Sequence, residues 1–184
     1  TNQFPRAVDL ADDFLKAGIP VMIGGFHVSG CLAMLPQLPH DIQTAREKGV
    51  SLFAGEAEGH LEEVLRDAHG GTLKPIYNFM NEGQSMEGAP PPFLPVQIVQ
   101  NTFRRLSSFD AGRGCPFQCS FCTIINVQGR TSRYRSADDV ERIIRANLQQ
   151  GVGRFFITDD DFARNSNWEA ILDRCIQLRE EEGL

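Results

Sequence analysis

Apolar residues fall at two spacings along this chain, one helical and one strand-like, and the two alternate. Ala7, Leu10, Ala11, Phe14 and Leu15 recur every three to four positions, which predicts an amphipathic helix over Pro5–Gly18 with Gly18 as its stop. The short apolar run Ile19-Pro20-Val21-Met22-Ile23 ends in Gly24-Gly25 and reads as a buried parallel strand entering a tight turn. A second round follows: a helix over Asp41–Lys48, a strand over Val50–Ala54, the turn Gly55-Glu56-Ala57-Glu58 and a helix over Leu61–Ala68. This alternation predicts the last units of a doubly wound α/β sheet. Between Asn81 and Val96 the pattern breaks. Pro90, Pro91, Pro92 and Pro95 with Gly83 and Gly88 predict a stiff, unpaired interdomain connector that Phe93 and Leu94 could pin to a neighbouring surface.

The pattern then restarts. Leu106–Ala111 reads as a strand, and Ser136 as the N-cap of a helix with Asp138 and Asp139 in its first turn. Val140, Ile143, Ile144 and Leu148 put an apolar stripe along that helix, and Gly151 and Gly153 end it. Arg154–Thr158 is the next strand, closing on Asp159-Asp160-Asp161, and Trp168–Glu182 the last helix. The expected organisation is three parts: an α/β domain over 1–79, a proline-rich linker over 80–105 and a second α/β domain over 106–184. Thr1 at the start and Gly183-Leu184 at the end suggest a piece of a longer protein.

Composition narrows the function classes only a little. The 184 residues are 41% hydrophobic and 23% charged, as in an ordinary globular protein. A net charge of −6 argues against general nucleic-acid binding. No apolar run is long enough to span a bilayer, and a cytoplasmic setting is the expectation.

The chemistry is concentrated in Cys115-Pro116-Phe117-Gln118-Cys119-Ser120-Phe121-Cys122, three thiols at C-x3-C-x2-C spacing. Three thiolates on a short loop can hold one face of an iron–sulfur cube and leave one iron open to a small molecule. Zinc is the weaker reading, because structural zinc takes four ligands in paired sets. A fourth ligand would have to come from His60, His69 or Cys175. Five cysteines without a secretory signal do not make a disulfide framework.

These residues resemble the radical S-adenosylmethionine (SAM) enzymes. The cysteine loop with Phe121, the preceding Gly112-Arg113-Gly114, the following Arg130 and Tyr134-Arg135-Ser136, and Phe155–Phe162 are similar to that superfamily. Ile23-Gly24-Gly25-Phe26-His27 and Ala54-Gly55-Glu56-Ala57-Glu58 resemble the end of the cobalamin-binding domain that precedes many of its members. The resemblance implies the C-terminal part of a Rossmann-like domain followed by the first βα units of a partial TIM barrel. It implies a [4Fe–4S] cluster on Cys115, Cys119 and Cys122, with SAM on the fourth iron. It also implies reductive cleavage of SAM to a 5′-deoxyadenosyl radical, with flavodoxin or ferredoxin as reductant. Phe121, Asp159, Asp160 and Arg135 become candidate SAM contacts, and Gly24, Gly25, Gly55 and Glu56 candidate positions of a cobalamin-type site.

Two departures stand out. Thr158-Asp159-Asp160 occupies the place of the family's Gly-Gly-Glu run, so Asp159 and Asp160 are only candidates for its role. Nothing matches the cobalt-ligating Asp-x-His-x-x-Gly, and cobalamin stays open.

Plainer readings stand beside these. Gly24-Gly25 could serve a turn alone, and Glu56 with Glu58 could be an acidic helix start. Asp159–Asp161 could be a solvated turn. Arg113, Arg130, Arg133 and Arg135 could hold an anion or pair with Asp138, Asp139 and Glu141. Cys31 and Cys175 read as bystander thiols. The whole-chain alternative is an iron–sulfur electron-transfer or structural metal module without SAM chemistry. No substrate, small or macromolecular, is legible.

Overall fold

In the computed structural model, residues 3–90, 95–101, 106–159 and 161–183 are described. In chain order the elements begin α1 (Gln3–Lys16), β1 (Met22–Ile23), α2 (Phe26–Met34), α3 (His40–Glu47), β2 (Ser51–Ala54), α4 (Leu61–His69) and β3 (Ile76–Asn78). They continue with α5 (Val96–Gln100), β4 (Ser107–Asp110), β5 (Gly112–Arg113), α6 (Ile124–Val127) and β6 (Arg133–Tyr134). The last are α7 (Ala137–Leu148), β7 (Phe155–Thr158), a 3-10 turn at Phe162–Arg164 and α8 (Trp168–Glu182). The chain forms two compact units, one holding residues up to Gln84 with Pro116–Arg130, the other Ser85–Cys115 with residues from Thr131 onward.

The first unit is built on a parallel sheet in the order β1-β2-β3. All four residues of the central strand β2 are buried, as expected of a strand covered on both faces. Successive side chains of a strand point to opposite faces, and the packing follows that rule. Leu52 joins Phe4, Val8 and Ala11 of α1, Val28 and Cys31 of α2, and Ile42 and Ala45 of α3. Phe53 joins Val64 of α4 and Tyr77 of β3. The Tyr77 hydroxyl donates to Asp67 at 2.6 Å, which gives the buried phenol a partner.

The second unit pairs β4 with β7 in parallel and β5 with β6 antiparallel. Phe109 of β4, Val140, Ile143 and Ile144 of α7, and Ile171 and Leu178 of α8 form its core, with Phe155, Ile157 and Cys175 packed against them. Along β7 the inward residues Phe155 and Ile157 alternate with the exposed Phe156. Ser136 caps α7 in a reciprocal capping box with Asp139, which satisfies two otherwise orphaned donors at the helix start.

The α/β class, the parallel pairing and the helices over 41–48, 61–68, 137–148 and 168–182 follow the periodicity. Several expectations need correction. On α1 the buried face is Phe4, Val8 and Ala11, while Leu10 and Phe14 are exposed; two apolar stripes compete on this helix, and only one meets the sheet. The strand expected over Ile19–Ile23 shrinks to Met22–Ile23, and Ile19 is exposed. Helix α2 was hidden because it is apolar on nearly all sides and shows no amphipathic period. The strands β3, β5 and β6 and the one-turn helices α5 and α6 are too short to generate a periodic signal.

The expected unpaired connector is in part bonded: Met86 is buried, Gly88 N–H donates to Asp139 at 3.2 Å, and Arg142 donates to the Ala89 carbonyl at 3.2 Å. Phe93 and Leu94 lie outside the described residues.

Two glycines at strand ends differ in what holds them. Both Gly25 and Gly55 have positive φ, 95° and 106°. A Cβ at Gly25 would meet nothing within 4 Å, whereas one at Gly55 would lie 2.7 Å from the Phe79 carbonyl carbon. Positive φ makes substitution to Ala cost about 1–3 kcal/mol at either site. Gly55→Ala adds overlap with fixed backbone worth about 1–3 kcal/mol. Urea unfolding should therefore show a clearly larger loss for Gly55→Ala than for Gly25→Ala, and equal losses would refute the packing account.

Candidate functional site

The cysteine loop leaves β5 directly. Cys115 is buried, Cys122 part-buried and Cys119 exposed, and all five cysteines of the chain are free thiols. Cys122 N–H donates to the Cys119 carbonyl at 3.1 Å, closing a turn that carries the second and third thiols. Phe121 at its apex is 89% exposed. Cys115 belongs to the second unit, and Pro116–Arg130 packs with the first, where Val127 of α6 lies against Gly30 of α2. Among the described residues, no three His, Cys, Asp or Glu side chains are already gathered as a metal group. The donor set nevertheless suits a three-thiolate cluster: three unoxidised thiols lie within eight residues, two of them on an open turn.

The residues just before Cys115 are fixed by charge. Asp110, the last residue of β4, accepts from Arg113 Nε at 2.6 Å and from Arg135 Nη2 at 2.9 Å. Arg135 is 2% exposed, and its Nε also donates to the Asp110 carbonyl at 2.8 Å. Burial pushes the Asp110 carboxyl up, but the Arg113 and Arg135 guanidiniums more than offset this and hold it below the usual carboxylate range. Arg135, a candidate SAM contact on sequence, is thus placed in the interior with its fork on Asp110. The arginine pairing expected around α7 also needs correction. Its acids are met by Arg142 on Asp139, Arg145 on Glu141 and Arg174 on Asp138 and Glu141. Arg113 and Arg135 pair with Asp110 instead. Asp139 is pushed up by burial and brought below its ordinary value by hydrogen bonds from Gly88 and Ser136 and by Arg142.

At the end of β7, Asp159 is not a solvated turn residue. Its side chain is 1% exposed, with Oδ1 accepting from Asp161 N–H at 3.0 Å and facing Arg164 Nη2 at 3.7 Å. Oδ2 is buried without a hydrogen-bond partner. It sits where a side chain on Gly112 would be, 2.7 Å from a Cβ at that position. The Gly112-Arg113-Gly114 run thus has a physical reason at each step. Gly112 makes room for Asp159, Arg113 grips Asp110, and Gly114 takes φ 77° and gives its carbonyl to Arg164 at 2.8 Å. Asp160 lies outside the described residues.

Sequence reasoning missed the segment after Asp161. Asn165, fully buried, donates to the Ala111 carbonyl at 3.1 Å, and Asn167 donates to the Arg135 carbonyl at 3.1 Å. The signal was the run Asn165-Ser166-Asn167 directly before a helix, a typical turn composition.

In the first unit, Gly24, Gly25, Gly55 and Glu56 stand at the C-terminal ends of β1 and β2, the edge where open parallel sheets bind ligands. Gly24 is close to the Phe53 carbonyl, 3.2 Å from a Cβ there, and Gly55 N–H donates to Ser29 Oγ at 3.1 Å. Both glycines answer to the protein's own backbone. His27 Nε2 lies 3.0 Å from Asp41 and its ring packs on Phe4. His60 stacks on Phe79 at 3.7 Å beside Glu82 and Gln84. Cys175 packs against the α7–α8 core, where burial pushes its thiol up and disfavours the thiolate that a metal would need.

Residues 110–184 match the radical SAM superfamily. Over these residues the chain is similar to that superfamily of enzymes. Its relatives include the bacteriochlorophyllide d C-12(1)-methyltransferase of Chlorobaculum tepidum, 31% identical over 86% of this chain and 34% of the relative. The C-8(2)-methyltransferase of the same organism is 24% identical over 93% of this chain and 39% of the relative. The hopanoid C-2 methylase of Rhodopseudomonas palustris is 23% identical over 80% of this chain and 26% of the relative. The chain spans little more than a third of the length of the first two. No helix among the described residues is long and apolar enough to cross a membrane.

Removing one partner of the buried pair should be costly. Arg135→Met leaves Asp110 with less compensation and destabilises the chain by about 3 kcal/mol near neutrality. The folded Asp110 pKa is depressed, so its stabilisation is present above the unfolded value of about 3.9 and is lost as pH falls through the folded value. The gap between wild type and Arg135→Met should therefore narrow below about pH 4. Urea midpoints taken from pH 7 downward test this, and a gap independent of pH would remove Asp110 as the cause.

Proposed function

We propose that this chain is part of a radical SAM methyltransferase whose [4Fe–4S] cluster is held by Cys115, Cys119 and Cys122. The observation that carries this is the three-thiol loop at the end of the β4–β5 segment, inside the residues that match the superfamily. The names of the relatives supply the methyl-transfer class. When bound, the cluster supplies the electron that cleaves the sulfonium bond of SAM to methionine and a 5′-deoxyadenosyl radical.

The chain's own residues have roles around that chemistry. Cys115, Cys119 and Cys122 would hold three irons and leave the fourth open to SAM. Phe121 offers an exposed apolar ring for the adenine. Asp159, carrying a buried oxygen without a partner, takes the place of the Gly-Gly-Glu acid together with Asp160. Arg135 serves by holding Asp110 and the start of the cysteine loop. A flavodoxin or ferredoxin delivers the electron.

The domain reading remains 1–79 as the end of a cobalamin-binding-type, Rossmann-like domain, 80–105 as linker and 106–184 as the start of a barrel core. Support for the first part is its parallel sheet with glycine turns at the strand ends. Gly24 and Gly55 lie close to Phe53 and to the Phe79 backbone, and no step is assigned to cobalamin.

Anaerobic reconstitution of the full-length protein with iron and sulfide, followed by reduction with dithionite, should give a [4Fe–4S]+ EPR signal that SAM perturbs, and Cys119→Ala should abolish it. An intact cluster whose spectrum ignores SAM would end the catalytic reading. Zinc in place of iron would turn it into a structural metal module.

A further inference from the structure

The second unit contains a buried side chain that the chemistry above does not use. Arg164, in the 3-10 turn after β7, is 9% exposed at its side chain. Its Nη1 donates to the Gly114 carbonyl at 2.8 Å and to Ser132 Oγ. Its Nη2 faces Asp159 Oδ1 at 3.7 Å, while Nε and Nη2 make no hydrogen bond. The Tyr134 hydroxyl in turn donates to the Arg164 carbonyl at 3.3 Å, so the turn is tied to β6 from both sides. One guanidinium therefore touches the residue before Cys115, the residue before β6 and the carboxylate that ends β7.

We propose that Arg164 is a positioning residue for the first cluster cysteine, bracing the Gly114–Cys115 peptide against Ser132 and Asp159. Gly114 adopts φ 77° and has no side chain to hold it; a glycine left without a brace samples many backbone states. Its carbonyl points to Arg164, whose Nη1 donates both to that carbonyl and to the Ser132 hydroxyl. The charge of Arg164 also offsets the buried Asp159 carboxylate, whose removal from water would otherwise be costly. The orphaned Nε, Nη2 and Asp159 Oδ2 show that the fork is set by Gly114 and Ser132 rather than optimised for Asp159.

This inference rests on Cys115 being a cluster ligand only for its consequence, and the experiment keeps the two apart. In metal-free full-length protein, the rate of cysteine alkylation is mapped site by site by mass spectrometry. Cys115 is buried, and Cys175, in the α7–α8 core, reports the integrity of the same unit. Arg164→Met should raise alkylation at Cys115 about tenfold, the change expected when a hydrogen bond to a charged group no longer opposes local opening. Cys175 should keep its wild-type rate. Arg164→Lys should recover part of the protection, because an ammonium can still reach one acceptor.

An unchanged Cys115 rate in Arg164→Met overturns the proposal, as does a rise that Cys175 matches in both Arg164→Met and Arg164→Lys, which is the signature of a general structural role. If Arg164→Met does not fold, Arg164→Lys and Ser132→Ala carry the same comparison. Each should loosen Cys115 ahead of Cys175, and neither doing so overturns the proposal. Repeating the mapping on wild type after iron and sulfide loading tests the parent reading separately. Failure to protect Cys115, Cys119 and Cys122 there sinks the cluster assignment and leaves the metal-free result standing.

Discussion

The second unit depends on a carboxylate that ends a strand. Asp110 closes β4, and two arginines from different parts of the sequence, Arg113 and Arg135, converge on it. A charge in that position is expensive unless it is paired and hydrogen-bonded. Arg135 meets the need from inside the unit, where it also donates to the Asp110 carbonyl. Its backbone N–H donates to the Ala111 carbonyl at 3.0 Å, which carries the β5–β6 pairing onto β4. The end of β4, the start of the cysteine loop and the entry to α7 are thereby referred to one ion cluster. A buried ion pair of this kind contributes little net stability relative to apolar packing but enforces a geometry. Geometry is what a ligand-bearing loop requires.

Much of the fold could be read from periodicity because long helices with one apolar face must bury it. Val140, Ile143 and Ile144 went inward on α7, and Ser136 capped it, as the pattern demanded. Legibility stopped where the elements became short or uniformly apolar. Helix α2 shows no polar face to mark its period, and β5 and β6 are two residues each. Helix α1 shows the opposite failure. It has a strong amphipathic signal with two competing apolar stripes, and the choice between them was made by the sheet, a non-local partner.

The candidate site was legible in its reactive atoms and opaque in its supports. Three cysteines in eight residues carry their own argument. The roles of Gly112, Arg164, Asn165 and Asn167 depend on contacts made across 32 to 54 residues of sequence, which no local spacing reveals. Arg135 shows the same limit from the other side. A sequence neighbour of the loop looked like a ligand contact, yet the fold draws it inward to Asp110.

The fit of Asp159 over Gly112 has a consequence for how this region can vary. The carboxylate oxygen occupies the volume that any side chain at position 112 would claim. The two identities are therefore coupled. A chain that acquires a side chain at 112 must shorten or turn away the residue at 159. Across the superfamily, the glycine before the cysteine loop and the acid at the end of the following parallel strand should be gained and lost together, although 47 positions separate them here.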